Sequence, residues 1–247
     1  MPPRARALQN AAPRELIQAL RDRIASLEGA RRPGEGRPIS SGCEGLDQLL
    51  PGRGFPRGTL VEWLTSGEGS GAESLVFAAA REAWREGGAV VVCDQAKRFY
   101  PPAAVRLGID PAGMIVVHAA SEADNLWALD QALRCPAVAA AVAWPEKLDS
   151  RTFRRLQLAA EQGGGLGLLV RPARARSEPS WAEVRLAIEP MPTADPHGPR
   201  RIRIQLLRCR GGPSGAVAEV EFEHETHRLH CDSAGASPAA CRRAAGA

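Results

Sequence analysis

The sequence predicts an α/β fold, with a mostly parallel central sheet, antiparallel edge strands and flanking helices. Three observations carry this. First, an apolar strand from Thr59 to Leu64 runs into the glycine-rich stretch 65–71 and then into a helical segment from Glu73 to Arg85. That is the order in which a phosphate-cradling loop is built. Second, Ala89–Asp94 and Val138–Trp144 are continuous apolar runs. They read as strands covered on both faces, as parallel strands beneath helices must be. Third, Arg201–Leu207 alternates polar and apolar residues, turns at Gly211-Gly212-Pro213 and returns as Val217–Phe222. This is an antiparallel edge meander.

The 247 residues divide into a basic arm (1–38), a core domain (39–231) and a tail expected to be disordered (232–247). An apolar share of 44% is enough for a sizeable core. No apolar run approaches the length of a membrane span and no signal-type apolar region opens the chain, so a cytoplasmic location is expected. Six cysteines without C-x-x-C spacing argue against a disulfide framework, and Cys93 and Cys135 read as small buried hydrophobes. The formal charge is +4, and residues 1–37 alone carry eight arginines against four acids. The positive charge therefore sits on the arm and leaves the core near neutral.

Taken in order, Pro13 opens a helix to about Glu28, with Ile17, Leu20, Ile24 and Leu27 on one apolar stripe. Two heptads are too few for a self-standing coiled coil, so the stripe docks on its own domain or on a partner. A Gly/Pro/Arg linker leads to a short helix with Leu46, Leu49 and Leu50 on one face, then a turn from Pro51 to Gly58. Beyond the glycine loop and its helix, Ala89–Asp94 is a strand, Met114–His118 another, Asn125–Arg134 an amphipathic helix, and Val138–Trp144 a central strand. His118, at a strand end, reads as structural. Asp149 or Ser150 caps a helix to about Gln162, with Phe153, Leu156 and Leu158 facing inward. Gly163-Gly164-Gly165 turns the chain into Leu166–Val170. The segment Arg171–Ser180 carries Arg171, Arg174 and Arg176, either a solvated basic turn or a contact for a phosphate backbone. With one Tyr and five Phe, a base-stacking platform is poorly supported, and Trp181 reads as packed under this loop. Val184–Ile188 alternates as a strand. His224, His227, His230 and Cys231 do not have the spacing of a closed zinc site, so no metal is expected.

The glycine loop holds the most informative residues. A phosphate loop reads G-x-x-x-x-G-K-[ST], with Lys on the β/γ-phosphates and the hydroxyl on magnesium. Here it reads Ser66-Gly67-Glu68-Gly69-Ser70-Gly71-Ala72-Glu73. Ala72 stands in the lysine slot, and Glu73 puts an anion in the hydroxyl slot. The only lysines are Lys97 and Lys147, so no loop lysine is displaced nearby. The architecture of a phosphate cradle is kept and its charge logic is inverted.

The stretch 39–62 resembles the start of the RecA-type core. Ile39-Ser40-Ser41-Gly42, Leu46-Asp47, Gly54-Phe55-Pro56-Arg57-Gly58 and Val61-Glu62 match its motifs in order, as Leu107-Gly108-Ile109-Asp110 and Val184-Arg185-Leu186-Ala187-Ile188 do later. A RecA-like chain of this size with a basic N-terminal helix resembles the ImuA family of bacterial mutagenic translesion-synthesis cassettes. The resemblance implies a RecA-like P-loop fold with a degenerate nucleotide site. In recombinases the strand ending at Asp94 is followed by a glutamate that polarises water, and Val138–Trp144 would end in the Walker B aspartate. Those slots hold Ala96 and Trp144. With Ala72, three positions lose their chemistry, so no ATP hydrolysis and no cofactor are expected.

The family further implies contacts with a Y-family-like polymerase homologue of the ImuB type, an error-prone replicative-type polymerase and RecA. Single-stranded or primer-template DNA and a second copy are further partners it leaves open. Candidate surfaces are the stripe of Ile17, Leu20, Ile24 and Leu27, which in RecA-like proteins would meet the next protomer, and the arginines of the 171–176 loop. Two other classes stay open: a divergent DNA-dependent ATPase, and a RecA-like regulator of recombination or cell division. Nucleotide turnover would separate the first, and a polymerase cassette beside the gene would separate the second.

Overall fold

A computed structural model describes residues 36–231, except Glu68, Ala194, Pro196, His197, Gly211, Pro213 and 224–228. Its elements are α1 (Glu44–Leu49), β1 (Leu60–Thr65), α2 (Ala72–Arg85), β2 (Ala89–Cys93), α3 (Pro101–Arg106), β3 (Met114–Val117), α4 (Glu122–Arg134) and β4 (Val138–Ala143). They continue with α5 (Ser150–Gly163), β5 (Leu166–Pro172), β6 (Val184–Pro190), β7 (Arg200–Cys209), β8 (Val217–Phe222) and β9 (Leu229–Cys231). Among the described residues no helix is long and apolar enough to cross a membrane.

The nine strands form one sheet in the order β3-β2-β4-β5-β1-β6-β7-β8-β9. The pairs from β3 through β6 are parallel, and those from β6 through β9 are antiparallel. This is the expected α/β architecture. β1 lies between β5 and β6, so the loop leaving β1 opens at the carboxyl ends of the parallel strands, where open α/β sheets bind ligands.

Alternation along each strand divides the core between two faces. On one face Val61, Trp63, Val92, Val142 and Leu168 meet α1 and α2 through Leu46, Leu75, Val76 and Ala79. On the other, Leu60, Val91, Ala141 and Leu169 meet α4 and α5 through Leu129, Leu133, Phe153 and Leu156. The entry motif has a local reason: buried Asp47 accepts from Ser40 Oγ at 2.6 Å and Ser41 N at 2.8 Å, which ties the chain ahead of α1 to the helix. α5 begins as expected, with Asp149 accepting from Thr152 N at 2.7 Å. The triple glycine that ends it is required by turn geometry and by crowding: Gly164 is left-handed at φ +78°, and a Cβ on Gly163 would stand 2.0 Å from the Leu133 carbonyl oxygen.

Two inward assignments are corrected. Leu158 is 44% exposed, because Phe153, Leu156 and Ala160 define the buried stripe of α5 and residue 158 lies across the helix from it. Cys135 is exposed just past the end of α4. Cys93, inside β2, is buried, and burial pushes its thiol up to about 12. The apolar stripe at Ile17, Leu20, Ile24 and Leu27 lies outside the described residues, as do His224 and His227.

Candidate functional site: an altered phosphate cradle

The glycine loop is folded on its own hydroxyls. Thr65, the last residue of β1, places Oγ1 2.5 Å from Ser70 Oγ and 3.0 Å from the Gly67 carbonyl oxygen, and Gly67 N donates back to it at 3.2 Å. Ala72 N donates to Ser70 Oγ at 3.4 Å. Gly71 caps α2 at φ +86°, and a Cβ there would come within 2.3 Å of Ile202 Cδ1. The backbone and the packing both require glycine at this position. Glu68 lies outside the described residues.

Above the loop is a cleft of about 340 Å³, lined by the loop, the first turn of α2, the ends of β4 and β5, and Arg98, Glu146, Arg174 and Arg200. Ala72 is the first residue of α2 and is 1% exposed. Glu73 follows it, and its Oε1 accepts from Trp144 Nε1 at 3.2 Å. Trp144 sits just past β4, packed toward Phe77, whose ring stacks on Phe99 at 4.9 Å. The two residues standing where a hydroxyl and a carboxylate would share magnesium thus bond each other. Glu73 also puts its negative charge in the first turn of α2, where the helix dipole favours an anion. These residues do not fit a magnesium nucleotide: Ala72 offers no cation, and Glu73 would repel phosphate oxygens.

The neighbouring strand end is likewise occupied by structure. Asp94 is 2% exposed and accepts from Arg98 N at 3.0 Å and Phe99 N at 2.7 Å, which fixes the loop after β2. Ala96 is exposed within that loop and carries no titratable group. His118 Nδ1 lies 2.9 Å from the Asp94 carbonyl oxygen, the structural role expected for it.

The arginine segment contains a correction. Arg171 is 1% exposed, so it is not available to a DNA backbone. Its Nη1 donates to Glu62 Oε1 at 2.6 Å, Nη2 to Glu178 Oε2 at 2.6 Å, and Nε to the Pro145 carbonyl at 3.3 Å. Glu62 is itself fully buried, and also accepts from Arg185 Nε at 2.5 Å and Ser180 Oγ at 2.8 Å. Register explains the convergence. Glu62 on β1 stands beside Arg185 on β6, Leu64 stands beside Arg171 on β5, and residues 62 and 64 share one face. The sequence did carry a signal for this cluster: single charges inside the apolar strands L-V-E-W-L-T, V-R-L-A-I and L-L-V-R. Buried charges of that kind are paired. Arg174 and Arg176 are exposed on a 3-10 turn, Ala173–Ser177, and Arg174 reaches Glu146 Oε2 at 3.1 Å. Trp181 is 43% exposed rather than covered; Arg154 stacks on its ring at 4.9 Å, and its Nε1 donates to Ser150 Oγ at 3.1 Å.

Comparison with known proteins matches this sequence to two groups. The chain is 36% identical over 210 residues to Protein ImuA of Caulobacter vibrioides, covering 76% of this chain and 86% of that protein. It is 34% identical over 102 residues to Protein RecA of Chlorobaculum parvum, covering 41% of this chain and 29% of that protein. It is also 30% identical over 100 residues to Protein RecA of Rhodopirellula baltica, covering 40% of this chain and 26% of that protein. No family model matches the chain. With the strand order above, the partial RecA similarity makes the fold RecA-like.

Proposed function

The chain belongs to the ImuA family, and from that premise we propose that it is a non-catalytic RecA-like accessory protein of DNA-damage-induced mutagenic translesion synthesis. It acts by contact with a Y-family-like polymerase homologue, an error-prone replicative-type polymerase and RecA at damaged DNA. One observation carries the non-catalytic part: the Trp144 Nε1 bond to Glu73 Oε1, at 3.2 Å, between the two slots that would hold magnesium. With Ala72 in the lysine slot, Glu73 in the hydroxyl slot and Ala96 in the glutamate slot, the chain offers neither the loop cation nor the water-polarising carboxylate that lower the barrier to γ-phosphate transfer. The exposed arginines Arg174, Arg176 and Arg200 support a further contact with a phosphate backbone.

The test is ATP binding and hydrolysis by the purified chain, with and without single-stranded DNA, beside damage-induced mutation frequency in a strain lacking the gene. The reading expects no turnover and a loss of induced mutation that the unaltered chain restores. Hydrolysis above a no-protein blank would overturn the non-catalytic reading. Unchanged induced mutation in the deletion strain would overturn the translesion reading.

A further inference from the structure

Arg185, the second residue of β6, is buried and points its fork at the segment 175–178. Its Nη2 donates to the Ala175 carbonyl at 2.8 Å, and its Nη1 donates to the carbonyls of Arg176 and Glu178, each at 3.4 Å. Its Nε is anchored on the buried Glu62. The same segment is tied at three more points. Arg171 Nη2 donates to Glu178 Oε2, Ser180 Oγ donates to Glu62 Oε2, and Ala182 N donates to Ser180 Oγ at 3.1 Å. Within the 3-10 turn Ala175 is fully buried, while Arg174 and Arg176 on either side of it are exposed. In the cluster beneath, two guanidiniums (Arg171, Arg185) match two carboxylates (Glu62, Glu178), so the charges of Arg174 and Arg176 are not drawn into it. Arg174 meets Glu146 at 3.1 Å, but these side chains are 60% and 65% exposed, and a pair so placed is worth little against another anion. A basic loop that must order on binding loses affinity to the entropy of that ordering. Here the sheet orders the loop beforehand, and none of these bonds involves the glycine loop of the cradle.

We propose that Arg185 is a positioning residue, which fixes the segment 173–178 so that Arg174 and Arg176 meet a single-stranded phosphate backbone in preformed geometry, with no nucleotide needed in the cradle. The inference rests on the backbone contact proposed above, and adds to it the fixed form of the loop and its independence of nucleotide.

The test is fluorescence anisotropy of a fluorescein-labelled oligo(dT) titrated with the full chain, with and without ATP and magnesium, over a range of salt. The parent should bind equally well in both conditions. Arg174→Ala and Arg176→Ala should each weaken binding and lower the slope of log affinity against log salt by about 0.7. Arg185→Lys keeps a charge beside Glu62 but loses the fork that spans three carbonyls. It should weaken binding about two- to tenfold, the cost of ordering a side chain on binding, while keeping the parent's salt slope. Loss of a phosphate contact would lower that slope, and loss of fold would lower the saturable fraction rather than the affinity. Ser180→Ala, which removes one tie without touching Arg185, should give a loss of the same kind. No binding by the parent, or binding indifferent to Arg174 and Arg176, would overturn the backbone contact and this inference with it. Binding that those two arginines carry but that requires ATP, or that Arg185→Lys and Ser180→Ala both leave unchanged, would overturn this inference alone.

Discussion

Two charged regions flank the glycine loop, one on β1 before it and one in the first turn of α2 after it. Below the loop, Glu62 is sealed between Arg171 and Arg185 with no exposure of its own. Above it, Glu73 faces an open cleft and accepts from the indole of Trp144. Both regions sit on motifs shared with RecA-type cores. The buried one has its charges matched and satisfied, whereas the open one has charges that contradict phosphate binding. The difference is one of solvation. A buried carboxylate cannot be removed without stranding its guanidinium partners in low dielectric, so folding alone holds it in place. Groups at an open cleft lose little stability when changed, and only a chemical task would hold them.

Breaking the buried region should produce the largest effect. Glu62→Ala removes the buried carboxylate shared by Arg171 and Arg185, leaving Arg171 to Glu178 and Arg185 to backbone carbonyls, and should cost about 3–5 kcal/mol of unfolding free energy, read as a lower midpoint in urea. A loss under about 1 kcal/mol would mean that water or Glu178 takes over the compensation. Next comes the hinge between the regions. Gly71→Ala combines a left-handed φ of +86° with a Cβ 2.3 Å from Ile202, and should cost about 1–3 kcal/mol.

At the open cleft the expected stability effects shrink. Trp144→Phe removes the hydrogen bond to Glu73 while keeping an aromatic ring against Phe77, and should shift stability by about 1 kcal/mol or less. Ala72→Lys should yield no ATPase activity by steady-state assay, alone or combined with Trp144→Asp, because Ala96 still offers no group to polarise water. Robust turnover in the single variant would show that the three positions are not independent losses.

The smallest effect concerns acid stability. Asp149 accepts from Thr152 N and Oγ1, and these bonds hold its carboxyl below the ordinary value of 3.8. A lowered folded-state pKa stabilises above the unfolded value, and the contribution fades as pH falls through the folded one. Asp149→Asn should therefore remove a slight loss of stability below about pH 4, seen as flatter melting temperatures across acidic buffers.

The sheet was legible from residue order because each strand announces its environment. Val138–Ala143 is apolar on both faces, and β7 alternates Arg201 and Arg203 with Ile202 and Ile204. The inverted loop was legible too, because Ala72 and Glu73 can be read in their slots without any coordinates. The role of Arg171 was not. In the sequence it opens a run of three arginines that looks like a basic turn, but it is the last side chain of β5 directed onto the face that carries Glu62.

Local pattern thus sufficed for the α/β class, the position of the cradle and the loss of its lysine, since propensity, periodicity and turn chemistry act over a few residues. Packing alone decided which charges are buried, that Trp144 meets Glu73 across 71 positions, and that Asn125 is left with an empty acceptor. Those facts depend on strand register and on which helix covers which face, and such contacts join residues that no short window of the chain contains.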